Sequence, residues 1–426
     1  MEKEPGWDPG TLLIAFASAK PYLFAMQLVI IVHHHEIVLK RDNRRFFERQ
    51  LMNNIHTALR GLISLSSISG GYGRFVIGLD TDQAVDEISE KLGYIFGLAN
   101  ICVGVKVEQN LEVFCTTAEK LLAGREFKTI KVETHRPDKN FPLRSLEVNA
   151  RVGEHLCKRF GVRANLKQPD ETVYIEIANG EAYVYRSKAK GLGGLPVGVS
   201  GSVVSLLSAG FDSPVASWHM MRRGARVIFV HFHSMPYVGQ NSVEQVRELA
   251  ARLTRYQFSS RLHLIAFAEA QNEIVLHAPQ SLRVILYRRM MVRIAQEIAL
   301  REKAEALVTG EVVGQVASQT LRNIRVIDAV ATLPILRPLS GTDKEEIIST
   351  ARKIGTHDIS AEPYDDCCSF LAPRKAETFA GLQDVETAES ELNIPHLVGT
   401  AIAKSTSEVF HYPKRENESP DALSTI

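Results

Sequence analysis

The chain has 426 residues, with 50 Lys and Arg against 49 Asp and Glu and a formal net charge of +1. That length, with 45% apolar residues, supports two or three domains with separate cores. The near-neutral balance excludes a general polycation, so a nucleic-acid surface must be local, and five cysteines (Cys102, Cys115, Cys157, Cys367, Cys368) are too few and too scattered for a disulfide scaffold. A reducing cytoplasm is the expected setting. No run of 18 apolar residues occurs, so no transmembrane helix is expected. The first residues lack the basic region of a signal peptide.

Residues 1–25 read as an extension, because the strand-like run MQLVIIV begins at Met26. His33, His34 and His35 follow that strand. Three consecutive side chains point in different directions and cannot chelate together, so a solvated strand end is expected. Residues 43–61 (NRRFFERQLMNNIHTALRG) carry apolar positions at Phe46, Leu51, Ile55 and Leu59, with Gly61 as a stop, and predict a helix. RFVIGLD (74–80) predicts a strand and residues 81–97 a helix. This succession suggests an α+β unit of ferredoxin-like type, placed at 26–85.

A second unit, placed at 86–190, has its regular elements from about Val105 onward. It contains the strand 127–134, the turn 136–142 and a helix over 145–160. The run 172–188 folds back at Asn179-Gly180 as a hairpin. Between Arg125 and Lys190 stand fourteen Lys and Arg against nine Asp and Glu. Arg136, Lys139, Arg144, Arg186, Lys188 and Lys190 gather in two turn-rich segments, a pattern that favours a phosphate-binding face. KGLGGLPVGVSG (190–201) is Gly-rich, nearly uncharged, and reads as a linker.

Beyond it, strands at 202–208, 226–232, 261–267 and 305–310 alternate with helical segments at 213–223, 241–256 and 281–302. Such alternation predicts a doubly wound parallel sheet, placed at 195–373. Residues 374–426 read as a polar tail with little periodicity. Between the first strand and its helix lies Ser208-Ala209-Gly210-Phe211-Asp212-Ser213. Small residues there let backbone N–H groups approach an anion, and the helix contributes its positive end. Ser208 and Ser213 can donate hydroxyl hydrogen bonds, and Asp212 can help hold Mg²⁺. An ordinary capped turn would use the same residue types.

The loop matches the pyrophosphatase signature S-G-G-x-D-S except that Ala209 replaces the first glycine, a change that requires a negative φ at that position. With it come HEIVLKRDNRRFFERQL, RPDKNFPLRS, KGLGGLPVG, LLSAGFDSPVASWHMMRRG, VHFHSMPY, RRMMVRIA, LVTGEVVGQVASQT, PLSGTDKEEI and DDCCSF. From Met26 to about Pro373 the chain thereby resembles the tRNA 4-thiouridine synthetase (tRNA sulfurtransferase) family. The resemblance implies a ferredoxin-like domain, a THUMP RNA-binding domain and an adenylating pyrophosphatase-loop domain. It places ATP contacts at Leu206, Leu207, Ser208, Gly210, Asp212, Ser213, His231, Phe232, Arg288, Gly310 and Gln319. It puts the family's lysine on Lys344 and its sulfur-carrying cysteine on Cys367.

The resemblance further implies ATP and Mg²⁺ as cofactors, tRNA as substrate, a cysteine desulfurase as sulfur donor, and a homodimer. The reaction implied is transfer of persulfide sulfur to uridine 8 through an adenylated uridine. Cys368 is a candidate resolving cysteine. The aspartates beside Cys367 raise rather than lower a thiol pKa, so activation must come from groups distant in sequence. No C-x-x-C occurs, which argues against an iron–sulfur or zinc site, and no metal ligands are assigned. Some family members carry a C-terminal rhodanese domain with a second persulfide cysteine, and no cysteine follows Cys368 here. Sulfur is therefore expected directly from the external donor, and the thiazole synthesis that goes with the rhodanese part is not expected. Two competing classes are another AMP-forming pyrophosphatase-loop ligase, which has no use for residues 26–190, and a non-catalytic RNA-binding protein with a lapsed loop.

Overall fold

Five consecutive apolar residues, Leu28 to Val32, are buried in a central strand, β1 (Gln27–His33). The computed structural model describes residues 27–64, 67–71, 73–79, 84–237, 239–363, 376–414 and 424–425. It divides into two units, Met1–Gly194 and Leu195–Ile426.

In the first unit, helix α1 (Arg44–Ala58) follows a 3₁₀ segment, Glu36–Asn43. Strands β2 (Ile68–Gly71) and β3 (Arg74–Gly78), helix α2 (Val85–Leu92) and strand β4 (Asn100–Val107) come next. Then come α3 (Leu111–Leu122), β5 (Thr129–His135), α4 (Ser145–Phe160), β6 (Arg163–Ala164), β7 (Glu171–Ala178), β8 (Glu181–Tyr185) and β9 (Ala189–Lys190). One nine-stranded sheet runs β2-β3-β1-β4-β8-β7-β5-β6, with β9 on β4. The boundary expected at residue 85 stops short of β4, whose residues pair with all of β1, from Gln27↔Lys106 to His33↔Asn100. The hairpin expected at Asn179-Gly180 joins β7 to β8, with both turn residues at positive φ.

Three details depart from the sequence reading. Leu51, Ile55 and Leu59 are fully buried, but Phe46 is 52% exposed, one turn before the helix meets the core. Only part of the histidine end is solvated: His35 is exposed, but His34 is fully buried, and burial together with the neighbouring His33, His35 and Arg44 lowers its pKa to about 4. His33 meets Glu176 at 3.0 Å, and Arg74 also pairs with that carboxylate. The glycine-rich segment is pinned rather than free. Gly191 and Gly193 donate to Ala99 O and Leu98 O at 2.8 Å, and a Cβ on Gly191 would sit 2.3 Å from Leu98 O.

The second unit holds β10 (Ser202–Leu206), α5 (Asp212–Arg222), β11 (Arg226–His233), α6 (Asn241–Thr254), β12 (Ser259–Ala266), α7 (Ala268–His277), α8 (Arg283–Arg301) and β13 (Ala306–Val308). It continues with α9 (Leu321–Asp328), β14 (Ile335–Leu336), α10 (Lys344–Ile354), α11 (His357–Ala361), α12 (Leu382–Glu389), α13 (Ile394–Ala403), β15 (Thr406–His411) and β16 (Ser424–Thr425). The sheet order is β14-β13-β10-β11-β12-β15-β16. The five strands from β14 to β12 pair in parallel, and β15 and β16 run antiparallel at the edge. The chain moves outward from β10 to β12, then returns to the other side of β10, which creates a switch point at its carboxyl end.

The expected polar tail is instead part of this unit. Val385, Leu392, Leu397 and Ile402 join the same apolar core as Leu286, Met290 and Ile294 of α8. Glu389 accepts from Arg289 (2.9 and 2.7 Å) and from Arg293 (2.6 and 2.9 Å), two residues of α8 one turn apart. Burial pushes this carboxyl up, but the two guanidinium groups outweigh it and hold its pKa at about 2. Stability from the pair is therefore fully present above the usual carboxylate value of 4.5 and is lost as pH falls through about 2. Glu389→Gln is expected to lower the unfolding free energy at neutral pH by roughly 3 kcal/mol, leaving the buried Arg289 and the half-buried Arg293 without their counter-charge. Urea titrations at pH 7 and pH 3 check this, the gap between wild type and variant narrowing at the lower pH.

Candidate active site

At the carboxyl end of β10 the chain turns through residues 207–211 into α5. Pro214 sits in the first turn of that helix, where its missing N–H is not needed. Serines hold the turn in place. Ser208 N donates to Ser213 Oγ at 2.8 Å, and the two hydroxyls lie 3.1 Å apart. Ser217 Oγ donates to Ser213 O at 2.8 Å and meets Ser205 Oγ at 2.9 Å. Ala209 is 1% exposed and is not among the described residues with left-handed φ. Its backbone therefore does not demand glycine. Gly310, after β13, is different: a Cβ there would lie 2.6 Å from Ser213 N and 2.7 Å from Asp212 C. Only glycine lets the two loops approach so closely.

The loops enclose a cleft of about 490 Å³. Leu206, Leu207, Ser208, Gly210, Asp212, Ser213, His231, Phe232, Arg288, Gly310 and Gln319 all line it, so the structure gathers every residue assigned to ATP. They come from five separate stretches of chain. Val230, Phe232, Val284 and Met291 supply apolar walls, and Ser208, Gly210, Asp212 and Ser213 line the loop end. His231 donates from Nδ1 to Leu207 O at 2.9 Å. Burial lowers its pKa to about 4, so the ring is neutral at pH 7.

Lys344 opens α10, behind the helix cap made by Asp343 on Glu345 N–H. Its Nζ donates to Asp212 Oδ1 at 2.6 Å, across 132 residues of sequence. Gln315 Nε2 donates to the other oxygen, Oδ2, at 3.0 Å. The Phe211 ring lies 5.7 Å from Lys344 Nζ and 5.5 Å from the His357 ring. Gln315, Phe211 and His357 escaped the sequence reading; Gln315 stands in the GQVASQT stretch that yielded Gln319. Glu311, in the T-G-E turn, lines the cleft and accepts from Arg337 Nε at 2.7 Å and Thr309 Oγ1 at 3.0 Å. Cys367 and Cys368 lie outside the described residues.

In the first unit the six basic residues separate. Lys139, Arg144, Lys188 and Lys190 are exposed. Arg136 uses its guanidinium to build the turn, donating to Lys139 O at 3.1 Å and Phe141 O at 2.6 Å. Lys188 Nζ lies 3.9 Å above the Tyr174 ring and 3.5 Å from Glu133. Arg186 is the correction: it is 9% exposed and 3.9 Å from Glu171, so it belongs to the interior of the unit rather than to an outer face. Among the described residues no helix is long and apolar enough to cross a membrane.

A parallel sheet with this serine-rich loop at its switch point, carried behind ferredoxin-like and THUMP elements, defines a pyrophosphatase-loop nucleotide enzyme of the class that acts on RNA. Comparison with known proteins agrees. The family model for Thiamine biosynthesis protein (ThiI) matches residues 198–394, that for the ThiI ferredoxin-like domain 29–102, and that for the THUMP domain 108–186. A "Probable tRNA sulfurtransferase" of Thermoanaerobacter sp. (strain X514) is 40% identical over 368 residues, 86% of this chain and 96% of that protein. One from Thermus thermophilus is 38% identical over 386 residues, 91% of this chain and 95% of its own. Among solved structures, a 4-thiouridine synthetase in complex with RNA and bound ATP superposes with a TM-score of 0.82 at 34% identity, covering 91% of this chain and 100% of that one. The chain belongs to the tRNA sulfurtransferase family, and it is an enzyme.

Proposed function

We propose that this enzyme transfers sulfur to uridine 8 of tRNA, using ATP to convert the base into an adenylate and giving 4-thiouridine. The observation that carries the reading is the cleft at the switch point, where the residues assigned to ATP converge beside the Asp212–Lys344 pair. Uracil O4 is a poor leaving group. Attack by O4 on the α-phosphorus of ATP expels pyrophosphate and leaves O4 as part of a phosphate ester. Loop amides, the Ser208 and Ser213 hydroxyls and Lys344 offset the charge growing on pyrophosphate. Asp212 is one carboxylate beside space for phosphate oxygens, a donor set that suits Mg²⁺. Bound there, Mg²⁺ would neutralise phosphate charge.

The terminal sulfur of a Cys367 persulfide then attacks C4, and AMP departs with the former O4. The base is now joined to Cys367 through an S–S bond. Attack by the Cys368 thiolate on Cys367 sulfur breaks that bond, releases 4-thiouridine and leaves a Cys367–Cys368 disulfide. An external thiol must reduce it before the next turnover. A cysteine desulfurase supplies the persulfide sulfur, and the enzyme works as a homodimer. Pyrophosphate release measured with and without unmodified tRNA tests the reading. Release that requires tRNA supports it; equal release without tRNA points to another ligase, and none at all to a lapsed loop.

The exposed basic residues of the first unit serve tRNA phosphates. Replacing Lys139 and Lys190 by glutamine is expected to weaken tRNA binding and flatten its dependence on log salt, by about 0.9 for each duplex phosphate that is no longer neutralised. ATP affinity stays unchanged. Binding isotherms at several salt concentrations read this directly, and an unaltered slope places the RNA elsewhere.

A further inference from the structure

Ala376 lines the nucleotide cleft, nine positions after Cys367. The chain that follows it, residues 377–380, is irregular; Glu377 N–H donates to Ser281 O at 3.2 Å, and the other partnered backbone groups bond to side chains. Asn323, fully buried in the first turn of α9, holds both ends of this stretch. Its Nδ2 donates to Glu377 O at 2.8 Å, and its Oδ1 accepts from Ala380 N at 3.1 Å. Its neighbours complete the clamp: Thr320 Oγ1 donates to Thr378 O at 2.8 Å and Arg322 Nε to Ala380 O at 3.1 Å. The same Asn323 Nδ2 also donates to Ala317 O at 2.8 Å. Ala317 lies in the cleft wall two residues from Gln315, the residue that holds Asp212.

One buried amide thus ties the wall that holds the nucleotide to the chain leading back to the two cysteines. A buried amide with three bonds to separate backbone segments fixes them relative to one another, because breaking any bond leaves a desolvated polar group. We infer that Asn323 is a positioning residue for sulfur transfer: by anchoring residues 377–380 to the cleft wall it fixes the described end of the chain that follows the two cysteines. The inference rests on the proposed function. Asn323 touches neither substrate nor reacting atoms, and its effect falls on the second chemical step more than on the first.

That asymmetry is measurable. Asn323→Asp keeps the size of the side chain and the acceptor for Ala380 N–H but puts oxygen where the amide NH₂ served two carbonyls. Thr320→Val removes the clamp's bond to Thr378 O and the helix cap on Asn323 N–H, at 2.8 and 3.2 Å, and leaves the bonds of the Asn323 side chain in place, so it serves where the first variant fails to fold. Both are assayed as full-length protein with unmodified tRNA, ATP, a cysteine desulfurase with cysteine, and a thiol reductant, counting AMP and 4-thiouridine in the same reaction. The expected result is a ratio of AMP to 4-thiouridine raised at least threefold, most strongly in Asn323→Asp, because adenylates formed in the cleft are hydrolysed before sulfur reaches them. A ratio equal to that of wild type in both variants, with the two products falling together, overturns the inference and leaves Asn323 a purely structural residue. Failure of wild type itself to form tRNA-dependent AMP and 4-thiouridine would instead overturn the function on which the inference rests.

Discussion

A Cys367→Ser variant is expected to form AMP from ATP in the presence of unmodified tRNA and to make no 4-thiouridine. A serine hydroxyl cannot carry a transferable sulfur atom, whereas the adenylation step does not involve residue 367. The adenylate then meets water instead of sulfur and returns to uridine with loss of AMP. The donor in this test must be a desulfurase with cysteine, since free sulfide could attack C4 without a protein carrier. Cys368→Ser separates the proposed carrier from the residue proposed to release the product. It is expected to stall before release, with the tRNA joined to Cys367 through the S–S bond, unless an external thiol cleaves that bond. Full thiolation by Cys367→Ser with the desulfurase donor removes the carrier role from this cysteine.

The second large effect belongs to Asp212. Its two carboxylate oxygens receive Lys344 Nζ at 2.6 Å and Gln315 Nε2 at 3.0 Å, so one side chain orients the cation and the opposite wall of the cleft. Asp212→Ala removes that organiser and the carboxylate proposed for Mg²⁺. ATP turnover on tRNA is expected to fall about 10²–10³-fold, the usual loss when a charge interaction made in the transition state disappears. Binding of tRNA, assigned to the other unit, stays within a few fold of wild type. Near-normal turnover in rapid-quench measurements of pyrophosphate release would take the loop out of the mechanism.

The site was legible in the sequence to the extent that its residues sit in short motifs. Ser208 to Ser213 announced themselves by small residues between an apolar strand and a helix. The family resemblance then carried His231, Arg288, Gly310 and Gln319 to positions that the fold brings to one cleft, and Lys344 to a bond with Asp212 of that cleft. Ala209, the one departure from the signature, holds a backbone conformation open to any residue.

What stayed hidden depends on partners far away in sequence. Residues 382–393 look polar locally, yet Glu389 is charged because it meets Arg289 and Arg293 about a hundred residues earlier, and Val385 and Leu397 face α8. No local period reports such pairing. The strand Thr406–His411 was missed for a related reason: as the antiparallel partner of β12 near the sheet edge, it alternates weakly and keeps Val409 45% exposed. Arg186 illustrates the converse. Its charge suggested an outer face, but it directly follows the hairpin strand Glu181–Tyr185 and turns inward beside Glu171, a partner that no local pattern reports.

The most direct measurement follows an oxygen atom. If O4 of uridine 8 attacks the α-phosphorus of ATP, that oxygen must leave with AMP when sulfur replaces it. Transfer RNA carrying ¹⁸O at O4 of uridine 8 is treated with the enzyme, ATP, a desulfurase with cysteine and a thiol reductant, and the AMP is analysed by mass spectrometry. An adenylated uridine predicts one ¹⁸O in the phosphate of AMP for each 4-thiouridine formed. Unlabelled AMP alongside full thiolation, with the label in water, would contradict it.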